Sequence, residues 1–367
     1  MRNYRWLTTY VRQGFRRHAL RPTDPVHVLL CIADHYEPGN GNVSAMQADA
    51  RVDAWTHKYP RLFSKFRDSD GRPPQHTFFY PLEMYRATEV ERIARLCREG
   101  FGEVEIHLHH DGDTAENLRR TLVEYKNLLA HQHGLLSRDR ETGEIMYGFV
   151  HGNWALDNSH PAGLGCGINN ELDILQETGC YADFTLPSYP SPTQTRKVNS
   201  IYYAVDDPAK PKSHDWGVDV GTRAPPARAL MMIQGPLVLN WQCRKYGIVP
   251  RVENGCLQAN QLPSRQRVNL WLRAHVHVRT RPDWFFVKLH THGAVENNQQ
   301  ALLGEPMVRF HEMLALKAAA DPNFHYYYVT AREMYNLAKA AEAGRRERVC
   351  ELRDFQLFSV TVALAEK

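Results

Sequence analysis

The sequence predicts an α/β protein built as an irregular barrel of about seven strand–helix units. Three observations lead there. Apolar runs that read as buried strands alternate with helical patterns along most of the chain. Ionisable residues recur where those runs stop. Neither GxGxxG nor GxxxxGKS/T occurs, so a dinucleotide or P-loop sheet is not expected.

Residues 26–33 (VHVLLCIA) are apolar almost without break, as a strand buried on both faces must be. Residues 76–80 (HTFFY), 103–108 (EVEIHL), 145–150 (IMYGFV), 181–186, 283–289 (DWFFVKL) and 326–329 continue the series. A helix is expected from Thr88, with Glu91 completing a capping box and Gly100 closing it. Another is expected over about 114–130, with Leu118, Leu122, Tyr125 and Leu129 on one face. Further helices are expected at 169–178, 262–275, 299–319 and 331–343. Residues 187–228 are proline-rich and polar and read as a long excursion. Residues 229–241 read as a hairpin around Gly235-Pro236, and 355–364 as an added strand. The plan is a basic N-terminal helix (1–25), a barrel (26–345) with an insertion at about 187–241, and a C-terminal extension (346–367).

With 367 residues and 43% hydrophobic content the chain can bury a large core. A net charge of +4 argues neither for nor against an anionic partner, but no Lys/Arg run forms a nucleic-acid stripe, so no nucleic-acid partner is expected and a carbohydrate suits the surface. No apolar segment is long enough to span a bilayer. The N-terminus (MRNYRWLTTYVRQGFRRHALRP) lacks the apolar core and cleavage site of a secretory signal, so a cytoplasmic location is expected. Its Trp6, Tyr10 and Phe15 suit a helix docked on the domain, or one making peripheral contact with a membrane. The seven cysteines are scattered and never form CxxC, as expected for reduced thiols.

Four run endings gather the chemistry. They are Asp34-His35-Tyr36-Glu37, the stretch from His107 to Asp113, His151-Gly152-Asn153-Trp154, and His290-Thr291-His292. In a parallel barrel these would share one rim. Ordinary readings stand beside this one. Asp34 can cap a turn, and Asp113 with Glu116 can start a helix. His110 points away from His107 and His109, and His292 can be a loop residue. Imidazole with carboxylate suits a divalent cation, Zn²⁺ first. His35, His109 and Asp113 make the expected ligand set, Asp34 the expected base and His290 the expected proton donor. Tyr80, Trp154 and Trp241 offer faces for a sugar ring.

These motifs resemble the NodB-homology polysaccharide deacetylases of carbohydrate esterase family 4, over roughly residues 26–340. That family's first strand ends in two aspartates, a base and a metal ligand; here the pair is Asp34-His35. Its Thr-Phe-Phe signature matches Thr77-Phe78-Phe79. Its HxxxH ligand pair becomes His109 and Asp113. Its Arg-Pro-Pro-Tyr-like turn, which lines the sugar site, is replaced by His151-Gly152-Asn153-Trp154. Its Leu-His strand end matches Leu289-His290, where the histidine is the acid, and Tyr328-Val329-Thr330 resembles its last strand. The resemblance implies a NodB-like (β/α)₇ barrel and metal-dependent removal of an acetyl group from a saccharide. His151 and Asn153 would then touch substrate beside Tyr80 and Trp154. Two other classes stay open. One is a glycoside hydrolase using Asp34 with Asp111 or Glu37. The other is a non-catalytic carbohydrate-binding protein.

Overall fold

A computed structural model describes residues 4–16 and 24–360. The strands are β1 (Val26–His35), β2 (His76–Pro81), β3 (Gly102–Leu108), β4 (Ser137–Asp139), β5 (Ile145–His151), β6 (Cys180–Asp183), β7 (Ile201–Val205), β8 (Val218–Asp219), β9 (Ala229–Ile233), β10 (Val238–Lys245), β11 (Val249–Glu253), β12 (Trp284–Thr291), β13 (Phe324–Tyr328) and β14 (Leu357–Ser359). The helices are α1 (Trp6–Arg16), α2 (Ala45–Phe63), α3 (Ala87–Leu96), α4 (Ala115–His133), α5 (Glu171–Glu177), α6 (Arg265–Ala274), α7 (Glu296–Leu302), α8 (Glu305–Ala320), α9 (Ala331–Glu342) and α10 (Val349–Leu352).

The central sheet runs β12-β1-β2-β3-β5-β6-β9-β7-β8, and its pairings are parallel from β12 to β9. β13 also runs parallel beside the first half of β1, and β2 takes over that edge at Ala33. The sheet is therefore mostly parallel with helices packed on it, and among the described residues its hydrogen-bonded path runs from β12 to β8.

Alternation along β1 creates the two faces. Val28, Leu30 and Ile32 join a core with Trp55, Phe63, Phe78 and Ile106, under the helices. Leu29, Cys31 and Ala33 join the other core with Phe79, Val150, Trp284 and Phe286. Successive residues of a strand face opposite sides, so Asp34 and His35 are assigned to different cores.

Several expectations need correction. Helix α2 carries no signal that the sequence reading used, yet Ser44 caps it and Val52, Trp55, Tyr59 and Phe63 bury one stripe. Helix α3 starts after Arg86, without the Thr88–Glu91 box. Helix α4 is capped by Thr114, whose hydroxyl accepts from the Asn117 N–H, and not by Asp113. Residues 229–241 are not one hairpin. Gly235-Pro236 separates core strand β9 from β10, and β10 pairs with β11 as a separate two-stranded sheet. The excursion 187–228 contributes β7, antiparallel to β9. Within the expected strand 355–364, β14 pairs with β4, and residues 361–364 lie outside the described residues.

Within the expected N-terminal unit, residues 1–3 and 17–23 and the side chain of Phe15 lie outside the described residues. Helix α1 docks through Trp6, which is fully buried against Val198 and Leu237. Burying a side chain of that size contributes about 3 kcal/mol. Residues 353–357 are tied in through Asn336, whose amide bridges the backbone of Arg353, Gln356 and Leu357.

Candidate metal and active site

The ends of β1, β3 and β12, with the loop after β5, bring six aromatic rings together on the inner face. His35 is buried and lies 4.8 Å from the His107 ring, 4.7 Å from His292 and 4.5 Å from Trp154, on which it stacks. Trp154 also meets His290 edge-on at 5.3 Å. Its backbone is left-handed (φ 59°), an uncommon state for a bulky residue, and this conformation sets the indole over His35. Glu37 follows His35 by two residues, so it shares that face. Its Oε1 lies 3.0 Å from His107 Nε2 and 3.3 Å from His109 Nε2. The ligand atoms of His35, Glu37 and His107 all lie within 4.8 Å of one another.

The tautomer of His107 is fixed from behind. Its Nδ1 is 2.9 Å from the Val150 carbonyl, which can only accept, so Nδ1 carries a proton. A neutral His107 then presents a bare Nε2 to the Glu37 carboxylate, lone pair against lone pair. Either a second proton or a cation must lie between them. Metal-bound histidines commonly donate their far N–H to a carbonyl in this way. His35 Nδ1 is buried with no hydrogen-bond partner. The donor set of two imidazoles and one carboxylate fits a divalent cation such as Zn²⁺.

Charge is arranged unevenly. Burial works against the Glu37 anion, but the imidazoles of His107 and His109, 3.0 and 3.3 Å away, hold its carboxyl well below the usual range. Burial likewise opposes charge on His109, yet Glu37 and Glu83 accept from it and push it up to about 9. Glu83 reaches it from the turn after β2, bonding the His109 ring and backbone N–H. Burial, with Lys288 and His292 nearby, holds His290 well below an ordinary histidine. Gly152 lets the His109 ring pass, since a Cβ there would lie 2.3 Å from it.

The expected residues are placed as follows. His35, His290 and Trp154 meet at this site, with His109 at its half-open edge. Asp34 lies on the opposite face, fully buried. Its Oδ1 accepts the Gly293 N–H at 2.6 Å, and its Oδ2 is 2.9 Å from His76 Nε2. Gly293 is required there, because a Cβ would fall 2.1 Å from that carboxylate. Asp113 does not join His35 and His109. It accepts from Asn117 and the Thr114 N–H, and faces His110 at 3.5 Å. Tyr80 is in the outer core, donating to Glu89 at 2.7 Å. Asn153 braces the His110 carbonyl.

His151 belongs to a separate group with His110, Cys166 and Glu171. There Glu171 lies 3.1 Å from His110 Nε2 and 3.7 Å from His151 Nε2, and it accepts from the Cys166 thiol at 3.2 Å. The sequence reading left Glu37 and His107 out of the ligand set. Strict alternation from His35 and from His109 was the signal that could have found them. An open groove of about 950 Å³ between α2 and α3 is lined by Asp49, Asp53, Arg86 and Arg92, which pair with one another away from these histidines.

No helix among the described residues is long and apolar enough to cross a membrane. No protein-family model matches the chain, and no curated protein matches it. Among solved structures, the chain is similar to a protein of Mycobacterium smegmatis provisionally designated a polysaccharide deacetylase. The two share 12% identity over 90% of this chain and 96% of that one, with a TM-score of 0.45.

Proposed function

We propose that the protein is a metal-dependent hydrolase that removes an acetyl group from an amino sugar of a saccharide or polysaccharide precursor, on a NodB-like barrel. The observation that carries this reading is the His107–Glu37 contact, which a cation satisfies with a single proton on His107. His35, Glu37 and His107 would hold a divalent ion, with Zn²⁺ the first choice. When bound, such an ion polarises an acyl carbonyl and acidifies water.

The chain's own residues supply the rest. Trp154 and His292 form the wall on which a sugar ring can lie. His109, charged at neutral pH and half-buried, donates the proton to the departing amine nitrogen as the carbon–nitrogen bond breaks. Water supplies the second oxygen of the acetate product, and the proton released as the acid ionises replaces the one that His109 gives to the amine. His290, expected as that donor, is held neutral by burial and shapes the far wall instead. Asp34, expected as the base, positions the 290–293 turn through Gly293. Asp113 positions His110, and Tyr80 packs. A two-carboxylate glycosidase is disfavoured, because Asp34 and Glu37 occupy opposite faces.

The test is elemental analysis of the purified protein beside His107→Ala, together with acetate release from an N-acetylated oligosaccharide before and after chelation. Stoichiometric metal that is lost in the variant, with chelator-sensitive release, is expected. A wild type that takes up no zinc, cobalt or manganese, or acetate release indifferent to chelator, rules the reading out.

A further inference from the structure

We infer that the β10–β11 hairpin is a membrane-surface anchor that docks on an anionic lipid bilayer. The hairpin forms its own two-stranded sheet, outside the main one. From Trp241 to Val249 every residue is exposed. Tyr246 is 81% exposed, Ile248 73%, and Trp241 and Val249 51% each. Large apolar side chains gathered on a projecting element mark an interaction surface.

Cations are interleaved with them. Arg244 sits 5.9 Å over Trp241, and Lys245 sits 4.8 Å over Tyr246. Arg244 Nε donates to the Trp241 carbonyl at 2.7 Å, and among the described residues Arg244, Lys245 and Arg251 form no ion pair with a carboxylate. Residues 237–252 contain no Asp or Glu, and neither does α1, which packs at the hairpin's root. There Tyr10 Oη accepts the Leu239 N–H at 3.3 Å. Tyr4 and Val11 of this N-terminal segment are also half exposed.

The turn adds an independent sign. Tyr246 and Gly247 both have positive φ (55° and 73°) at the tip of the hairpin. Such turns prefer Asn-Gly, so a tyrosine there is held against its own backbone preference. The strain is spent on presenting an aromatic ring at the outermost point. Aromatic and aliphatic tips backed by Lys and Arg match the depth profile of a bilayer interface. Missing carboxylates match its negative surface potential. A protein-binding face would offer a continuous patch, whereas this element presents a tip with both faces in solvent.

The anchor is rooted at the candidate site. β11 leads into Gly255, whose carbonyl accepts the His290 N–H at 3.1 Å, and Leu257 donates to the His290 carbonyl at 2.8 Å. Docking would therefore set the histidine site against substrate carried at the bilayer surface.

The experiment is sedimentation of the full chain with phosphatidylcholine vesicles, with and without phosphatidylglycerol, at low and high salt. Partition onto the anionic vesicles is expected, weakened by salt. It should fall about tenfold or more in Arg244→Glu/Lys245→Glu, and comparably in Tyr246→Ser/Ile248→Ser. Circular dichroism checks that these exposed substitutions leave the fold intact. Cys243 lies in the hairpin and Cys350 outside it, both exposed. An environment-sensitive dye on Cys243 (in Cys350→Ser) should shift to the blue on vesicles, while one on Cys350 (in Cys243→Ser) should not. Absent partition, partition that survives both double variants, or a shift confined to Cys350 overturns the proposal. Capture of a protein partner by a hairpin that ignores vesicles would overturn it as well.

Discussion

Two clusters of histidine and carboxylate occupy opposite sides of the same strand ends, and their hydrogen bonds run in opposite senses. At the mouth, His107 Nδ1 donates to the Val150 carbonyl, so a neutral His107 turns a bare Nε2 toward Glu37 at 3.0 Å. Behind it, the Asn153 N–H donates to His151 Nδ1 at 3.2 Å, so the proton of a neutral His151 sits on Nε2, toward Glu171. Glu171 accepts from three donors, His110 at 3.1 Å, the Cys166 thiol at 3.2 Å and the Asp157 N–H at 2.5 Å, and His151 Nε2 stands 3.7 Å off without bonding it. Its carboxylate is satisfied without a cation, whereas at the mouth Glu37 and His107 need either a second proton or a cation between them. Residue type and spacing mark both groups as metal-like. What separates them is the partner of the nitrogen that points away.

The sharpest way to break this comparison is to truncate each histidine. His107→Ala should lose bound metal and depress acetate release by about a hundredfold or more, given that even outer partners are worth 10–100-fold. His151→Ala should keep its metal and lose stability instead, read by urea midpoint. Equal metal loss in both variants would erase the distinction.

Asp34 comes next. Asp34→Ala strands both His76 and the Gly293 N–H in the interior, and breaking such a buried pair costs about 3 kcal/mol. Urea denaturation should show it. Asp34→Asn keeps an acceptor for Gly293 and should recover part of the loss. If Asp34 were instead the base, Asp34→Asn would fold as the wild type, keep its metal and release no acetate.

How much of this was legible depends on distance along the chain. The buried strands announced themselves through runs such as VHVLLCIA and DWFFVKL, because a strand covered on both faces has no polar alternation to hide it. The rim was legible too, since His35, His109, Trp154 and His290 all reach it. Direction was not. Asp34 and His35 are neighbours, and only pleating sends one outward to His76 and the other inward to His107. Helix α2 escaped because Pro60 and several charged residues mask its stripe of Val52, Trp55, Tyr59 and Phe63. The pairings of Glu83 with His109 and of Glu171 with His110 join residues 26 and 61 positions apart, and no local pattern encodes them.

A smaller effect tests the packing beneath the mouth. Gly152→Ala puts a methyl into the His109 ring, which must move by more than an ångström. Overpacking of this kind costs about 1–3 kcal/mol. Acetate release should fall about tenfold with metal retained, because His109 is displaced from its donating position. Activity equal to wild type would remove His109 from the mechanism.

The gentlest test falls on the rear cluster. Glu171→Gln offers one oxygen where the native carboxylate offers two, so one edge of the amide meets donors with a donor, for about 1–2 kcal/mol. The pH dependence carries the sign. Burial opposes the Glu171 anion, but His151 and His110 bring it down to about 2, so its stabilising contribution is full above 4.5 and lost as pH falls toward 2. Burial opposes charge on His110, but Glu171 and Asp113 raise its pKa. That contribution is full below 6.5 and lost as pH rises through the raised value. The gap between wild type and Glu171→Gln should therefore be widest between about pH 4.5 and 6.5 and shrink on both sides. Thermal melts across that range measure it. A gap that stays flat with pH would mean that His110 and Glu171 are not an ion pair, and that the rear cluster, like the mouth, leaves room for a cation.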